Sequence, residues 1–131
     1  MVLKYTRERL QEVGVPPQLT DDLMSYRAGY SAEERRSIER RLFGGSLLGV
    51  AATNALELGI DVGALDVTLH LGFPGSVASL WQQSGRAGRR EQRALSVYVA
   101  FDSPLDQYYA RRPQKLFGAP VERCTVDPHN P

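Results

Sequence analysis

The stretch Val67-Thr-Leu-His-Leu-Gly-Phe-Pro-Gly-Ser-Val-Ala-Ser-Leu-Trp-Gln-Gln-Ser-Gly-Arg-Ala-Gly-Arg-Arg90 decides how the chain folds. Val67 to Leu71 is short and apolar, which predicts a buried strand, and Gly72, Phe73 and Pro74 close it. Ser76 to Ser84 reads as a helix, and Leu95 to Phe101 as another strand. A helix between two strands is the connection that parallel pairing requires. Pro104 to Arg111 then predicts a helix with proline in its permitted first turn.

The same alternation runs upstream. Residues 2 to 13 predict a helix with Leu3, Thr6, Leu10 and Val13 on one stripe, stopped by Gly14 and Pro16-Pro17. Leu23 to Arg27 is extended. Ser31 offers an N-cap with Glu34 three residues on, a capping box that opens a helix to about Phe43, where Gly44-Gly45 ends it. Ser46 to Ala52 suits a strand buried on both faces, and Thr53 to Leu58 a brief helix. The class is therefore α/β, a parallel sheet sandwiched by helices, with ligands expected at the carboxyl ends of the strands, where Thr53, Phe73 and Asp102 lie. No strand precedes the first helix, so the sheet is expected to lack its first strand. From Pro113 the sequence turns Pro-rich and less periodic, ending without a closing element, and both ends look cut. The expected division is 1–112 for a partial domain and 113–131 for the start of a truncated extension.

Composition narrows the classes. With 131 residues, 42% hydrophobic and 24% charged, the chain has the size and make-up of one globular domain. A net charge of +1 supplies no global field toward nucleic acid, so any polyanion site must be local. Fourteen of the sixteen cations are arginine, a bias that fits a GC-rich genome or a use for bidentate contacts. The single Cys124 excludes an intrachain disulfide, cannot alone build a zinc site, and fits a buried thiol in a reducing, cytoplasmic compartment. No apolar run approaches the roughly 20 residues that span a bilayer, and the N-terminus lacks a signal-peptide core, so no membrane partner is expected.

Three constellations carry chemistry. Arg86 and Arg89 stand three apart, separated by small residues, with Gly85 and Gly88 leaving the backbone able to approach a ligand. Two planar forks at that spacing can grip one phosphate group, and a solvated basic turn is the plain alternative. Thr53 and Asn54 at a strand-to-helix junction can cap the helix or receive a phosphate, while Asp61 can shape an Asx-turn or meet ribose hydroxyls. In Tyr26-Arg-Ala-Gly-Tyr-Ser-Ala-Glu-Glu-Arg35 a glycine and a helix N-terminus follow a strand, a geometry that can hold a backbone phosphate or can simply begin a helix. Tyr30 and Phe73 are assigned to the core rather than to base stacking.

In this order the three segments resemble the second RecA-like domain of superfamily 2 helicases. Arg27-Ala-Gly-Tyr-Ser with Arg35 corresponds to the segment opening the nucleic-acid face. Thr53-Asn-Ala-Leu-Glu-Leu-Gly-Ile-Asp61 resembles motif V, and Gln82-Gln-Ser-Gly-Arg-Ala-Gly-Arg89 resembles motif VI in its glutamine-led form. The tail, with Phe101-Asp-Ser-Pro-Leu-Asp-Gln-Tyr-Tyr109, Leu116-Phe-Gly and Val126-Asp-Pro-His-Asn-Pro131, is similar to the Hrq/MrfA-type helicases, which are linked to DNA repair and carry a C-terminal zinc-binding domain.

The resemblance implies an ATP-dependent helicase lobe. Arg86 and Arg89 would be arginine fingers on the γ-phosphate, Gln82 would orient them or a water, Gly85 would allow close approach, and Asp61 would meet the ribose. Gly29, Thr53 and Asn54 would contact the backbone of DNA, expected to be single-stranded. It also implies 3′ to 5′ movement. No Gly-x-x-x-x-Gly-Lys-Ser/Thr loop and no Asp-Glu pair after a strand are present, so ATP and Mg are expected to be held mainly by an absent N-terminal lobe. No metal ligand set is assigned in this chain. A non-catalytic nucleic-acid-binding or regulatory module, and a truncated non-functional fragment, are the competing readings.

Overall fold

A computed structural model describes residues 2–53, 65–88, 93–118 and 120. The chain divides into two compact units, Met1–Ala64 and Leu65–Pro131. The expected helix at Thr53 to Leu58, apart from Thr53 itself, lies outside the described residues, as do Cys124 and the segment 121–131.

In the first unit the order is α1 (Val2–Glu12), α2 (Pro17–Asp21), β1 (Leu23–Tyr26), α3 (Ala32–Phe43) and β2 (Gly49–Ala52). β1 and β2 pair in parallel, from Leu23 opposite Gly49 to Tyr26 opposite Ala52, with α3 as their crossover. Both halves of the α3 capping box form: Glu34 N–H donates to Ser31 Oγ at 3.2 Å, and Ser31 N–H donates to Glu34 Oε2 at 2.7 Å. At the other end Gly45 takes φ +76°, which lets Ser46 N–H reach the Arg41 carbonyl at 2.9 Å and close the helix. Tyr26, Ile38 and Leu47 form the core, with Met24, Tyr30, Leu42 and Val50 packed on it. The buried Tyr26 hydroxyl donates to Glu39 Oε1 at 2.6 Å. Burial, reinforced by the Glu39 carboxylate, pushes its pKa up to about 12.

Three expectations change in this unit. One element was not foreseen: beyond the end of α1, Pro17 opens α2, whose Thr20 is fully buried. β2 begins at Gly49 rather than Ser46, since the Ser46 and Leu47 amides are both committed to the Arg41 carbonyl at the end of α3. Nor is β2 buried on both faces: its first three residues are half-buried and Ala52 is exposed. Along α1 no residue is buried, and Val13 is exposed.

The second unit contains β3 (Val67–Leu71), α4 (Val77–Ser84), β4 (Leu95–Val99), α5 (Pro104–Arg111) and α6 (Pro113–Phe117). β3 and β4 are parallel, in register from Val67 opposite Leu95 to Leu71 opposite Val99, so the expected parallel α/β pairing is present in both units. Its core joins Val77 and Leu80 of α4 to Leu116 of α6, with Phe73, Tyr98 and Tyr109 packed against them. The Phe73 and Tyr109 rings lie 4.6 Å apart. Tyr30 and Phe73 thus both contribute to packing, as expected. Asp106 ties this core together: its carboxylate accepts from Phe73 N–H at 2.9 Å, from Ser103 Oγ at 2.5 Å and from the Tyr98 hydroxyl. The Ser103 and Tyr98 hydrogen bonds hold the Asp106 carboxyl below its usual range, and burial beside Asp106 raises the Tyr98 hydroxyl.

Here too the structure corrects the sequence reading. A short helix that was not foreseen follows Pro113, since α6 forms and Leu116 is only 2% exposed. β4 ends at Val99, two residues early, and the Phe101 carbonyl instead accepts from Gln107 Nε2 at 2.9 Å. β3 is not a fully buried strand. Its alternate residues Val67, Leu69 and Leu71 are exposed, Leu69 to 67%, while Thr68 is half-buried and His70 buried. Among the described residues no helix is long and apolar enough to cross a membrane.

Candidate functional site

The expected phosphate-gripping run begins on the last turn of α4. Gly85 caps the helix, with its N–H on the Trp81 carbonyl at 2.9 Å, and the Arg86 and Ala87 amides donate to the Gln83 and Ser84 carbonyls at 3.1 Å each. On its other side the strand-like segment at Ala87 bridges Leu65 in parallel: Leu65 N–H reaches the Arg86 carbonyl at 3.4 Å, and Gly88 N–H the Leu65 carbonyl at 3.1 Å. Gly88 adopts φ +83°, a conformation costing a residue with a Cβ about 1–2 kcal/mol. The main chain that carries Arg86 is therefore held from two directions.

Arg86 is half-buried and Gln82 is exposed. A guanidinium just past the C-terminus of α4 is favoured by the helix dipole, but that same end repels an anion, so any phosphate there relies on guanidinium charge alone. Gly85 has a packing reason of its own, since an added Cβ would sit 3.2 Å from the Trp81 carbonyl oxygen. Arg89 and Asp61 lie outside the described residues.

Beneath this turn is a polar cluster that the sequence reading did not single out. His70 of β3 places Nδ1 3.2 Å from Gln83 Oε1 and Nε2 3.2 Å from Ser84 Oγ. Thr68 and Ser96 hydroxyls lie 3.2 and 3.0 Å from the same Nε2. Strand period was the available signal, because Thr68 and His70 share the face of β3 opposite its apolar residues.

In the first unit the parallel register brings the ends of two strands to one edge. Tyr26 pairs with Ala52, so Arg27-Ala-Gly29 and Thr53 both leave the carboxyl edge of the β1/β2 sheet, and all four residues are exposed. Gly29 has no conformational need to be glycine: its φ is not left-handed and an added Cβ would meet nothing within 4 Å. Arg27 stacks 5.3 Å from the Tyr30 ring centroid, whose hydroxyl meets Ser25 Oγ at 2.6 Å. The Ser25 hydrogen bond, with one from Arg27, lowers the Tyr30 pKa. The α3 N-terminus is already compensated by Glu33 and Glu34, and the Ser31 backbone N–H holds the Glu34 carboxyl below its usual range. What this edge presents to an anion is therefore Arg27, the Gly29 main chain and Thr53. Arg35 is half-buried on α3, and Asn54 lies outside the described residues.

Among the described residues no group of three or more His, Cys, Asp or Glu side chains could hold a metal ion. These donors fit part of a nucleotide site, a guanidinium toward phosphate, and do not fit magnesium.

Against known proteins, residues 6–91 match the family described as the helicase conserved C-terminal domain. The chain is 46% identical over 131 residues to the uncharacterised ATP-dependent helicase YprA of Bacillus subtilis, covering 99% of this chain and 17% of that protein. It is 52% identical over 116 residues to the ATP-dependent helicase HRQ1 of Saccharomyces cerevisiae, covering 88% and 11% respectively. The solved structure of the helicase MrfA bound to DNA and AMPPNP superposes with a TM-score of 0.84 at 45% identity, over 98% of this chain and 18% of that one. The chain thus spans less than a fifth of the length of these relatives. By the family match the chain belongs to the helicase conserved C-terminal domain family, with its RecA-like fold, and it is similar to ATP-dependent helicases of the Hrq/MrfA type.

Proposed function

We propose that this chain is the second motor lobe of an ATP-dependent DNA helicase, acting on ATP that a first lobe binds together with magnesium. Arg86 and Arg89 are its arginine fingers, Gln82 orients them or a water, Gly85 gives the phosphates room, and Asp61 meets the ribose. The observation that carries this reading is the double anchorage of the Arg86 main chain, by the end of α4 and by Leu65. A guanidinium on a fixed backbone can be aimed at a developing charge without reorganising, which is what a finger needs. MrfA, similar over almost all of this chain, has been solved with both DNA and AMPPNP.

The carboxyl edge of the β1/β2 sheet is the proposed track for a single strand. Gly29, Thr53 and Asn54 contact its backbone and position it without reading bases. The exposure of Gly29 and the open space beside it support this role, because packing gives no reason for a glycine there.

The test is DNA-stimulated ATP hydrolysis by the helicase that contains this lobe. Arg86→Ala should lower kcat by about 10³ to 10⁵, the range an arginine finger supplies. The 131-residue chain alone should hydrolyse no ATP. Turnover by the chain alone that Arg86→Ala leaves untouched would refute the finger assignment.

A further inference from the structure

The polar cluster under motif VI has a directional order. Thr68 Oγ1 donates to Ser96 Oγ at 3.1 Å, and Ser96 Oγ donates to Ser84 Oγ at 3.0 Å. Ser84 then has its own proton to give to His70 Nε2, 3.2 Å away. An amide oxygen only accepts, so His70 Nδ1 must carry the ring proton that it gives to Gln83 Oε1. With the ring proton on Nδ1, Nε2 accepts from Ser84, while the Thr68 and Ser96 hydroxyls beside the same Nε2 give their protons along the chain; one relay runs from two adjacent strands through one ring to the last turn of α4.

The residues that His70 holds are the two that hold the finger. Gln83 and Ser84 offer their carbonyls to the amides of Arg86 and Ala87. A shift of either side chain moves the backbone from which Arg86 projects. His70 is buried and sits on a strand rather than on motif VI, and its hydrogen bonds among the described residues go to Gln83, Ser84, Thr68 and Ser96 rather than to Arg86 or Gln82.

From this geometry we infer that His70 is a positioning residue for motif VI: it fixes Gln83 and Ser84 so that Arg86 meets the γ-phosphate in the productive orientation. The inference rests on the finger reading of Arg86. Buried polar networks of this kind fix one arrangement when every member is satisfied, and lose it when one member is removed. Misplacement by about 1 Å far from the reacting atoms can cost about 10²-fold in rate.

Two measurements test it together. In the helicase containing this lobe, His70→Leu keeps most of the ring's volume and removes both hydrogen bonds; kcat for ATP should fall about 10²-fold, with KM within about threefold, since nucleotide is held elsewhere. Ser84→Ala, a small change that takes away the Nε2 donor, should give a partial loss of the same kind. In the 131-residue chain, His70→Leu should speed amide exchange at Arg86, Ala87 and Gly88 by more than about tenfold and leave the β1 and β2 amides unchanged. If Arg86→Ala abolishes turnover while folded His70→Leu retains it, the positioning role is wrong and the finger reading stands. If Arg86→Ala has no effect, both fall. Loss of kcat without faster exchange at Arg86 to Gly88 would also overturn the inference, and if His70→Leu fails to fold, full activity of Ser84→Ala does so.

Discussion

Replacing Leu116 by alanine should cost the second unit about 3 kcal/mol, within the 2–5 kcal/mol that buried leucines lose. Leu116 is the buried residue of α6, and it completes a cluster with Val77 and Leu80 of α4. Truncation to alanine removes the atoms that fill the space beneath that helix, and the last turn of α4 is tied to β3 through His70, so it cannot simply collapse into the gap. For a unit of this size a loss of about 3 kcal/mol lowers Tm by roughly 12–24 °C. Urea melts followed by far-UV circular dichroism and by Trp81 fluorescence read the change, with exposed Lys115→Ala as a control expected within about 0.5 kcal/mol. Ending the chain after Arg112 should destabilise at least as much as Leu116→Ala. A loss below about 1 kcal/mol for the point variant, or an unchanged melt for the truncated chain, would refute the claim that α6 belongs to the core and would favour a domain ending at residue 112.

Three further outcomes follow from the same structure. Tyr26, whose pKa rises to about 12, contributes stability that is complete below pH ~10 and is lost as pH climbs toward 12, because the folded state resists ionisation there. Alkaline melts of Tyr26→Phe should lack that part of the decline; an identical decline would sink the assignment. Glu34 and Asp106, with folded pKa values below the ordinary carboxylate range, contribute stability that is present above that range and is lost as pH falls through their folded values. Acid unfolding should therefore begin at higher pH in Ser103→Ala, which takes the largest stabilising hydrogen bond from Asp106, and an unmoved midpoint counts against this. Gly29→Ala should change stability by less than about 0.5 kcal/mol, because its Cβ meets open space, yet weaken single-stranded DNA binding and leave a steep salt dependence. Unchanged affinity would remove Gly29 from the proposed track.

Where local chemistry decides the structure, the sequence was legible. Ser31 and Glu34 announced the start of α3, Gly44-Gly45 its end, and Val67 to Leu71 formed a strand with those limits. Where one backbone group has two possible uses, it was not. The amides of Ser46 and Leu47 could have joined a strand ladder or closed α3, and only the folded helix end, with its carbonyls needing donors, decides for closure. α6 escaped notice because five residues with one buried anchor leave no periodicity to detect. His70 escaped because a histidine in an apolar strand is unremarkable until Gln83, Ser84 and Ser96 arrive from elsewhere in the chain. For the site, motif spacing identified the segment that carries Arg86, but not the exchange of roles by which Gln83 turns inward to His70 while Gln82 stays exposed.

The face of the β3/β4 sheet opposite His70 has a consequence at the bench. Val67, Leu69, Leu71, Leu95 and Val99 are all more than 40% exposed, and side by side on two paired strands they make an adhesive wall. Contiguous apolar surface of this kind drives self-association as concentration rises. The millimolar samples used for magnetic resonance would then contain clusters, and dilution would be needed to recover single molecules. Leu69→Lys places a charge in the middle of that wall, on the face of β3 opposite His70, and is the natural carrier background for handling this polypeptide in solution.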